Sequence, residues 1–110
     1  MPDRPNVLFI CSRNEWRSRT AETIFRNSQI MSVKSAGTSK TARIRVSRPL
    51  IDWSEVIFVM EPKHRRLLQD QFEEALAGKR LIVLDIPDEY KYMDEDLIRE
   101  LEEVVGYYLE

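Results

Sequence analysis

The stretch that decides the fold is NVLFICSRNEWRS, residues 6–18. It opens with Asn6–Ile10, a short apolar run rich in strand formers, which predicts a buried strand ending at Cys11. A polar loop follows, and Ser18–Asn27 predicts a helix because its apolar residues are spaced to share one face. A strand that leads through a short loop into a helix is a building unit of α/β folds.

The same alternation continues along the chain. Further strands are predicted over Met31–Ala36, Glu55–Met60 and Arg80–Leu84. Helices are predicted over Pro49–Trp53, from Pro62 towards Ala77, and after Asp94. Gly78 should end the second of these helices, and Asp94 should cap the third. The strands are nearly continuous apolar runs, which is typical of parallel strands buried on both faces. We therefore predict an α/β fold with a four-stranded parallel sheet flanked by helices on both faces.

Length and composition limit the possible functions. The chain has 110 residues and a mass of 13.0 kDa, with 43% hydrophobic and 33% charged residues, as expected for one globular domain over residues 1–110. No apolar run approaches the roughly 20 residues that span a bilayer, and residues 1–5 lack the apolar segment of a secretory signal. We expect a cytoplasmic protein with no membrane partner. One cysteine and one histidine exclude an internal disulfide and leave too few ligands for zinc, so we predict no metal and no cofactor.

Charge is distributed unevenly along the chain. Residues 1–48 hold ten Lys and Arg against three Asp and Glu, whereas residues 49–110 hold seven against sixteen. The N-terminal half should attract anions. The segment Thr38–Arg48, here called the basic segment, has no acidic residue and carries four cations: Lys40, Arg43, Arg45 and Arg48. This pattern predicts a solvated loop or, less readily, a surface for a polyanion such as RNA, since phosphate contacts supply affinity for nucleic acid.

The loop after the first strand has the composition of a phosphate-binding site. Cys11 is followed by five residues, Arg17 and Ser18, placed between a strand and a helix. Backbone amides of such a loop can point at one phosphate, with the helix N-terminus adding positive potential. Arg17 can bind two phosphate oxygens, and the positive field stabilises the thiolate of Cys11, the form that attacks phosphorus. Ser18 can donate to the sulfur, and Asn14 can brace the loop. A buried thiol beside a solvated arginine is the alternative, but the strand–loop–helix context favours a site.

The chain resembles the low-molecular-weight protein tyrosine phosphatase family over nearly its whole length. The matching segments are Val7–Cys11, Asn14, Arg17-Ser18, Ala21-Glu22, Ser35–Ser39, Val56–Met60 and Ile86–Asp88. The resemblance implies that fold and a metal-independent hydrolysis of phosphate monoesters through a phosphocysteine. It also implies phosphotyrosine as the default substrate and a shortened segment between Thr38 and Trp53.

The family places its general acid on a late loop, which here points to Asp88. Such a residue gives a proton to the leaving oxygen and then takes one from water. Asp85 is the alternative because it is nearer the end of the fourth predicted strand. Tyr90, with Tyr92, either flanks the entrance and stacks on the substrate or anchors the loop. We interpret Met60-Glu61-Pro62 as a strand end and helix start outside the site, and His64 as a surface residue.

Four loop residues depart from the family pattern and bear on the substrate. Glu15 stands where an apolar or small residue is usual, and it would repel an anion unless it points to solvent or meets a cationic or hydroxyl-bearing substrate. Trp16 replaces a second cysteine found in many members. Ser12 and Arg13 replace a small pair, and Arg13 adds charge at the rim. All four are expected to contact substrate, and a nucleotide, an RNA phosphate or phosphoarginine remain open as substrates.

Two other functions compete with this prediction. Arsenate reduction on this fold needs further cysteines for its disulfide relay, and Cys11 is alone in the sequence, so this activity is excluded unless an external thiol serves. A catalytically idle module that recognises a phosphorylated partner is the second. The joint presence of Cys11, Arg17, Ser18 and an aspartate on the late loop argues against it.

Trp53 and Phe58 are predicted core residues.

Overall fold

A computed structural model describes residues 4–109, which form four strands alternating with four helices. In chain order the elements are β1 (Asn6–Cys11), α1 (Arg17–Phe25), β2 (Ser32–Gly37), α2 (Arg48–Trp53), β3 (Val56–Val59), α3 (Pro62–Leu76), β4 (Arg80–Val83) and α4 (Glu95–Leu109). The strands form one parallel sheet in the order β2-β1-β3-β4. The predicted four-stranded parallel sheet is confirmed.

Side chains alternate between the two faces of β1 and build two separate cores, as strand geometry requires. Val7 and Phe9 pack with buried residues of α1 and α4, whereas Leu8 and Ile10 pack with those of α2 and α3. Helices therefore cover both faces of the sheet, as predicted. Phe9 is fully buried, with ring centroids 5.8 Å from Phe25 and 5.4 Å from Phe58. Truncating such a ring to alanine typically costs about 3–5 kcal/mol.

Local signals place the ends of two helices as expected. Gly78 follows α3 with a φ of 81°, a conformation that glycine adopts without steric cost. The Asp94 carboxylate accepts the backbone N–H groups of Asp96 at 2.8 Å and Leu97 at 3.3 Å, which caps α4. The core prediction is confirmed for Phe58.

The core prediction for Trp53 is wrong. This side chain lies half-buried at the end of α2, and the Lys34 ammonium sits 4.6 Å from the centre of its ring. The ring is therefore a partly exposed surface that a cation covers, and not part of the core interior. Within residues 4–109, no helix is both long and apolar enough to cross a membrane.

Candidate active site

The segment from Cys11 to Arg17, here called the cysteine loop, connects the carboxyl end of β1 to the first turn of α1. Asn14 turns the loop with a φ of 59°, a left-handed conformation that asparagine tolerates better than most residues. Its backbone N–H points back at the Cys11 sulfur, 3.3 Å away. The turn thus directs one amide of the loop at the thiol, next to the positive end of α1.

Ser18 lies directly under the thiol. Its Oγ is 3.0 Å from Cys11 Sγ and 3.2 Å from the Ala36 carbonyl oxygen, and it accepts a hydrogen bond of 2.7 Å from Asn14 Nδ2. A hydroxyl has one proton to donate. When the sulfur is a thiolate, it is only an acceptor, and Ser18 can then turn its proton from the carbonyl to the sulfur. Asn14 and Ser18 are both fully buried, so no solvent competes for this contact.

Arg17 is buried despite its charge, with 2% of its surface exposed. Its Nη1 donates to Glu61 Oε2 at 2.6 Å and to the Ile86 carbonyl oxygen at 2.8 Å. Its Nε lies 3.7 Å from Asp88 Oδ1. A buried guanidinium is tolerable only when its charge and its donors have partners. Segments after β3 and β4 supply them, and they fix the direction in which the side chain points.

Glu61 belongs to the site, so its interpretation as only a strand end and helix start is wrong. Its carboxylate holds Arg17, as described above. Burial alone would raise the pKa of Glu61, but the hydrogen bond and charge of Arg17 outweigh it and leave that pKa below its ordinary value. Glu61 is therefore an anion at neutral pH. The sequence offered one signal: Glu61 follows β3 at the edge of the sheet where ligands bind in α/β folds.

His64 is also misplaced by the surface prediction, because it is fully buried. As the third residue of α3 it turns back over the helix start, where Nδ1 accepts the Glu61 backbone N–H at 3.1 Å. Its Nε2 lies 2.9 Å from Ser12 Oγ. Burial, followed by the charge of Arg17, lowers the pKa of His64 from 6.5 to about 4. The neutral ring accepts at Nδ1, so Nε2 carries the proton and donates it to Ser12.

The segment after β2 braces the outer side of the cysteine loop. Ser39 donates its backbone N–H to the Ser12 carbonyl at 2.9 Å, and Arg43 does the same to the Arg13 carbonyl at 2.9 Å. Arg43 Nε also donates to the Asn14 carbonyl at 3.0 Å. These bonds occupy three successive carbonyl oxygens of the loop. They tie the loop to the segment that follows β2.

Gly37 makes this close contact possible, because a Cβ at its position would lie 2.5 Å from the Ser12 carbonyl oxygen. Part of the basic segment is thus structural. Arg43 additionally lies 3.8 Å from Glu22 Oε1, and Arg48 lies 3.3 Å from Asp52 Oδ1. All four cations proposed to meet a polyanion are exposed, but two of them, Arg43 and Arg48, already face carboxylates.

A small cavity of about 130 Å³ opens at the centre of these elements. Seven of the ten residues singled out from the sequence line it: Cys11, Ser12, Arg13, Glu15, Trp16, Arg17 and Asp88. Arg13 and Glu15 form an exposed ion pair, with 3.7 Å between Nε and Oε1. The cavity therefore brings together a thiol, a buried guanidinium and two carboxylates.

The other three predicted residues lie elsewhere. Asn14 and Ser18 are buried and contact the thiol, as described. Tyr90 is not among the residues that line the cavity: its hydroxyl donates to Glu100 Oε2 at 3.1 Å and its ring packs on the core. Tyr92 is likewise turned away, towards α1, where its hydroxyl is 2.9 Å from Thr23 Oγ1. Both tyrosines anchor the late loop in this structure.

The two candidate acids differ in position. Asp88 lines the cavity, with 58% of its side chain exposed and Oδ1 near Arg17. Asp85 is exposed at the end of β4 and does not line the cavity. The geometry therefore favours Asp88. Among residues 4–109, no three His, Cys, Asp or Glu side chains lie close enough together to hold a metal ion.

A doubly wound parallel sheet with a cysteine–arginine loop after its first strand defines the class of fold. Within that class, the fold is that of the low-molecular-weight protein tyrosine phosphatases, as comparison with solved structures shows. The tyrosine phosphatase Wzb from Escherichia coli K30, solved with phosphate, superposes with a TM-score of 0.76 at 20% identity over 97% of each chain. The low-molecular-weight protein tyrosine phosphatase SP-PTP from Streptococcus pyogenes gives a TM-score of 0.76 at 16% identity, over 96% of this chain and 91% of that chain.

A third neighbour is described by a different substrate. The YwlE arginine phosphatase from Geobacillus stearothermophilus gives a TM-score of 0.71 at 21% identity, over 93% of this chain and 86% of that chain. No protein-family model and no curated protein matches the sequence at a significant level. The likeness therefore lies in the fold, and the chemistry has to be argued from the site.

Proposed function

We propose that this protein is a metal-independent phosphatase that hydrolyses phosphate monoesters through a phosphocysteine, with the cysteine loop as its phosphate-binding loop. The observation that carries the proposal is the shared cavity of Cys11, Arg17 and Asp88, with the Ser18 hydroxyl 3.0 Å from the sulfur. Thiol, guanidinium and carboxylate are the nucleophile, the phosphate ligand and the acid that this reaction needs.

In the first step, the Cys11 thiolate attacks phosphorus and the bond from phosphorus to the leaving oxygen breaks. Loop amides and Arg17 bind the phosphoryl oxygens as charge develops on them. Asp88, in its acid form, gives its proton to the leaving oxygen. Ser18 stabilises the thiolate before attack, and again when it departs.

In the second step, water attacks the phosphocysteine. The Asp88 carboxylate now takes a proton from that water, the S–P bond breaks, and inorganic phosphate and the thiolate are released. Glu61 and the Ile86 carbonyl act throughout by holding Arg17 in place. They position a catalytic group without contacting the substrate themselves.

On the family resemblance alone, before the residues of the cavity are weighed, phosphotyrosine is the default substrate. The sequence resembles the tyrosine phosphatase family, and several structural neighbours are described as tyrosine phosphatases. The arginine phosphatase among the neighbours shows that this fold serves more than one substrate. We further propose a cytoplasmic location, because a reactive thiol with no second cysteine in its chain is kept reduced there.

Hydrolysis of p-nitrophenyl phosphate in the presence of a chelator tests the proposal. We expect turnover by the wild type, none by Cys11→Ser, and none by Arg17→Ala. The exposed Arg45→Ala serves as a matched control that removes an arginine outside the cavity. Intact mass after rapid acid quench should show the wild type transiently heavier by one phosphoryl group.

Two results would contradict the proposal. Full turnover by Cys11→Ser would exclude a covalent phosphocysteine. Phosphate binding by the wild type without any turnover would instead identify an idle phosphate-recognition module. The Asp88→Asn variant separates the role of the acid from that of the nucleophile. Its rate of hydrolysis should fall most with phenyl phosphate, whose leaving group needs a proton, and least with p-nitrophenyl phosphate, whose leaving group does not.

A further inference from the structure

Glu15 places a carboxylate in the cavity. A phosphatase whose substrate has an uncharged leaving group gains nothing from a negative charge at this position. Glu15 lines the cavity together with Asp88, and 51% of its side chain is exposed. A dianionic phosphate group is repelled by this charge, and a phenyl leaving group offers no cation to balance it. The fold gives no compensating reason for the charge, since its exposed ion pair with Arg13 contributes little to stability.

The Arg13 contact shows which kind of group suits Glu15. A guanidinium lies 3.7 Å from this carboxylate, between two residues that both line the cavity. Both side chains are exposed, so a guanidinium arriving with a substrate can displace Arg13 at small cost. A planar guanidinium matches a carboxylate through two parallel hydrogen bonds, which a phenol cannot make.

Trp16 supplies a second surface for a planar cation. It follows Glu15 in the chain, lines the same cavity, and is 44% exposed. Among aromatic side chains, the indole ring attracts a guanidinium to its face most strongly. The floor of the cavity thus binds an oxyanion, and its wall carries a carboxylate and an indole ring. A phosphoryl group bonded to a guanidinium nitrogen has its negative and positive charges in the matching order.

We infer that the cavity accepts an N-phosphorylated guanidinium, phosphoarginine, and that Glu15 selects it over phosphotyrosine. This inference rests on the proposed function, because it uses the same nucleophile. Cys11 attacks phosphorus, the P–N bond breaks, and the leaving nitrogen takes the proton of Asp88, which gives free arginine. Water then attacks phosphorus, the S–P bond breaks, and the proton of water goes to the Asp88 carboxylate.

The test measures phosphate release from phosphoarginine and from phosphotyrosine under identical conditions, as two values of kcat/KM. The wild type should prefer phosphoarginine. In Glu15→Gln, which keeps the shape and removes the charge, the ratio of phosphoarginine to phosphotyrosine activity should fall about tenfold or more. Glu15→Asp should retain part of the preference. Glu89→Gln is the matched control, since it removes an exposed carboxylate of the late loop that does not line the cavity.

The outcomes separate this inference from the proposed function. If Cys11-dependent hydrolysis of p-nitrophenyl phosphate is intact but the ratio is equal in wild type and Glu15→Gln, the inference is overturned and the proposed function stands. If no substrate is turned over, both fall. Free phosphoarginine and phosphoarginine within a peptide form two arms of the assay. Hydrolysis in either arm supports the inference, and the faster arm identifies the form in which the substrate arrives.

Discussion

The buried imidazole of His64 should make the stability of this protein depend on pH in a window where few other groups titrate. It is the only histidine in the chain. Burial and the charge of Arg17 lower its pKa from 6.5 to about 4. The geometry agrees, because Nδ1 already accepts the Glu61 N–H, and a proton on Nδ1 would face that donor.

The sign and size follow from linkage. Below pH 6.5 the unfolded chain protonates this histidine while the folded chain does not, so the folded state loses stability as pH falls towards 4. The slope approaches about 1.4 kcal/mol per pH unit for one proton. Between pH 7 and pH 5 the loss from His64 alone is about 2 kcal/mol, and it reaches about 3 kcal/mol near pH 4.

Urea unfolding at pH 7, 6 and 5, followed by tryptophan fluorescence, measures this loss. His64→Asn is the matched variant, because its carboxamide oxygen can still accept the Glu61 N–H while no group titrates. Cys11→Ser in both chains prevents oxidation from entering the comparison. Over this pH range the free energy of unfolding should fall about 2 kcal/mol more in the chain that keeps His64 than in the His64→Asn variant. Parallel pH profiles would refute the assignment of a neutral, buried imidazole.

Three further predictions follow from contacts around the cysteine loop. Glu61→Gln removes the anion that holds Arg17, so kcat/KM for p-nitrophenyl phosphate should fall about tenfold or more, whereas unchanged kinetics would exclude a positioning role. Gly37→Ala places a Cβ 2.5 Å from a loop carbonyl and should lower the free energy of unfolding by about 2 kcal/mol, which equal urea midpoints would contradict. Arg43→Met should slow turnover of even this small ester because it releases a loop carbonyl, while Arg45→Met should not; equal rates would return Arg43 to the solvated surface.

Much of the fold was predictable because its signals are local. Apolar runs define each strand to within one or two residues; β1, for example, was expected over Asn6–Ile10 and extends to Cys11. Gly78 and Asp94 mark helix ends through backbone freedom and side-chain capping, which involve only near neighbours. Where the cysteine loop lies follows from the same logic, since a strand and a helix fix its two ends.

The second layer of the site was not predictable in this way. His64 is surrounded in sequence by Lys63, Arg65 and Arg66, a pattern typical of a solvated helix face. Its burial depends on the turn from β3 into α3 and on Ser12, which lies 52 residues away. Glu61 likewise acquires its role only when Arg17 arrives from 44 residues earlier. Such contacts depend on tertiary packing, which no local pattern encodes.

The partners of Arg17 also bear on how the protein refolds. Its two Nη1 acceptors lie 44 and 69 residues further along the chain, so the guanidinium is held only after β3 has paired with β1 and β4 has paired with β3. Contacts this distant in sequence close late, because loop-closure entropy must be overcome first. Secondary structure around β1 and α1 can therefore form while Arg17 still samples many rotamers. In a refolding experiment, the recovery of activity would lag behind the recovery of the helix signal, and the length of this lag would report when β4 docks.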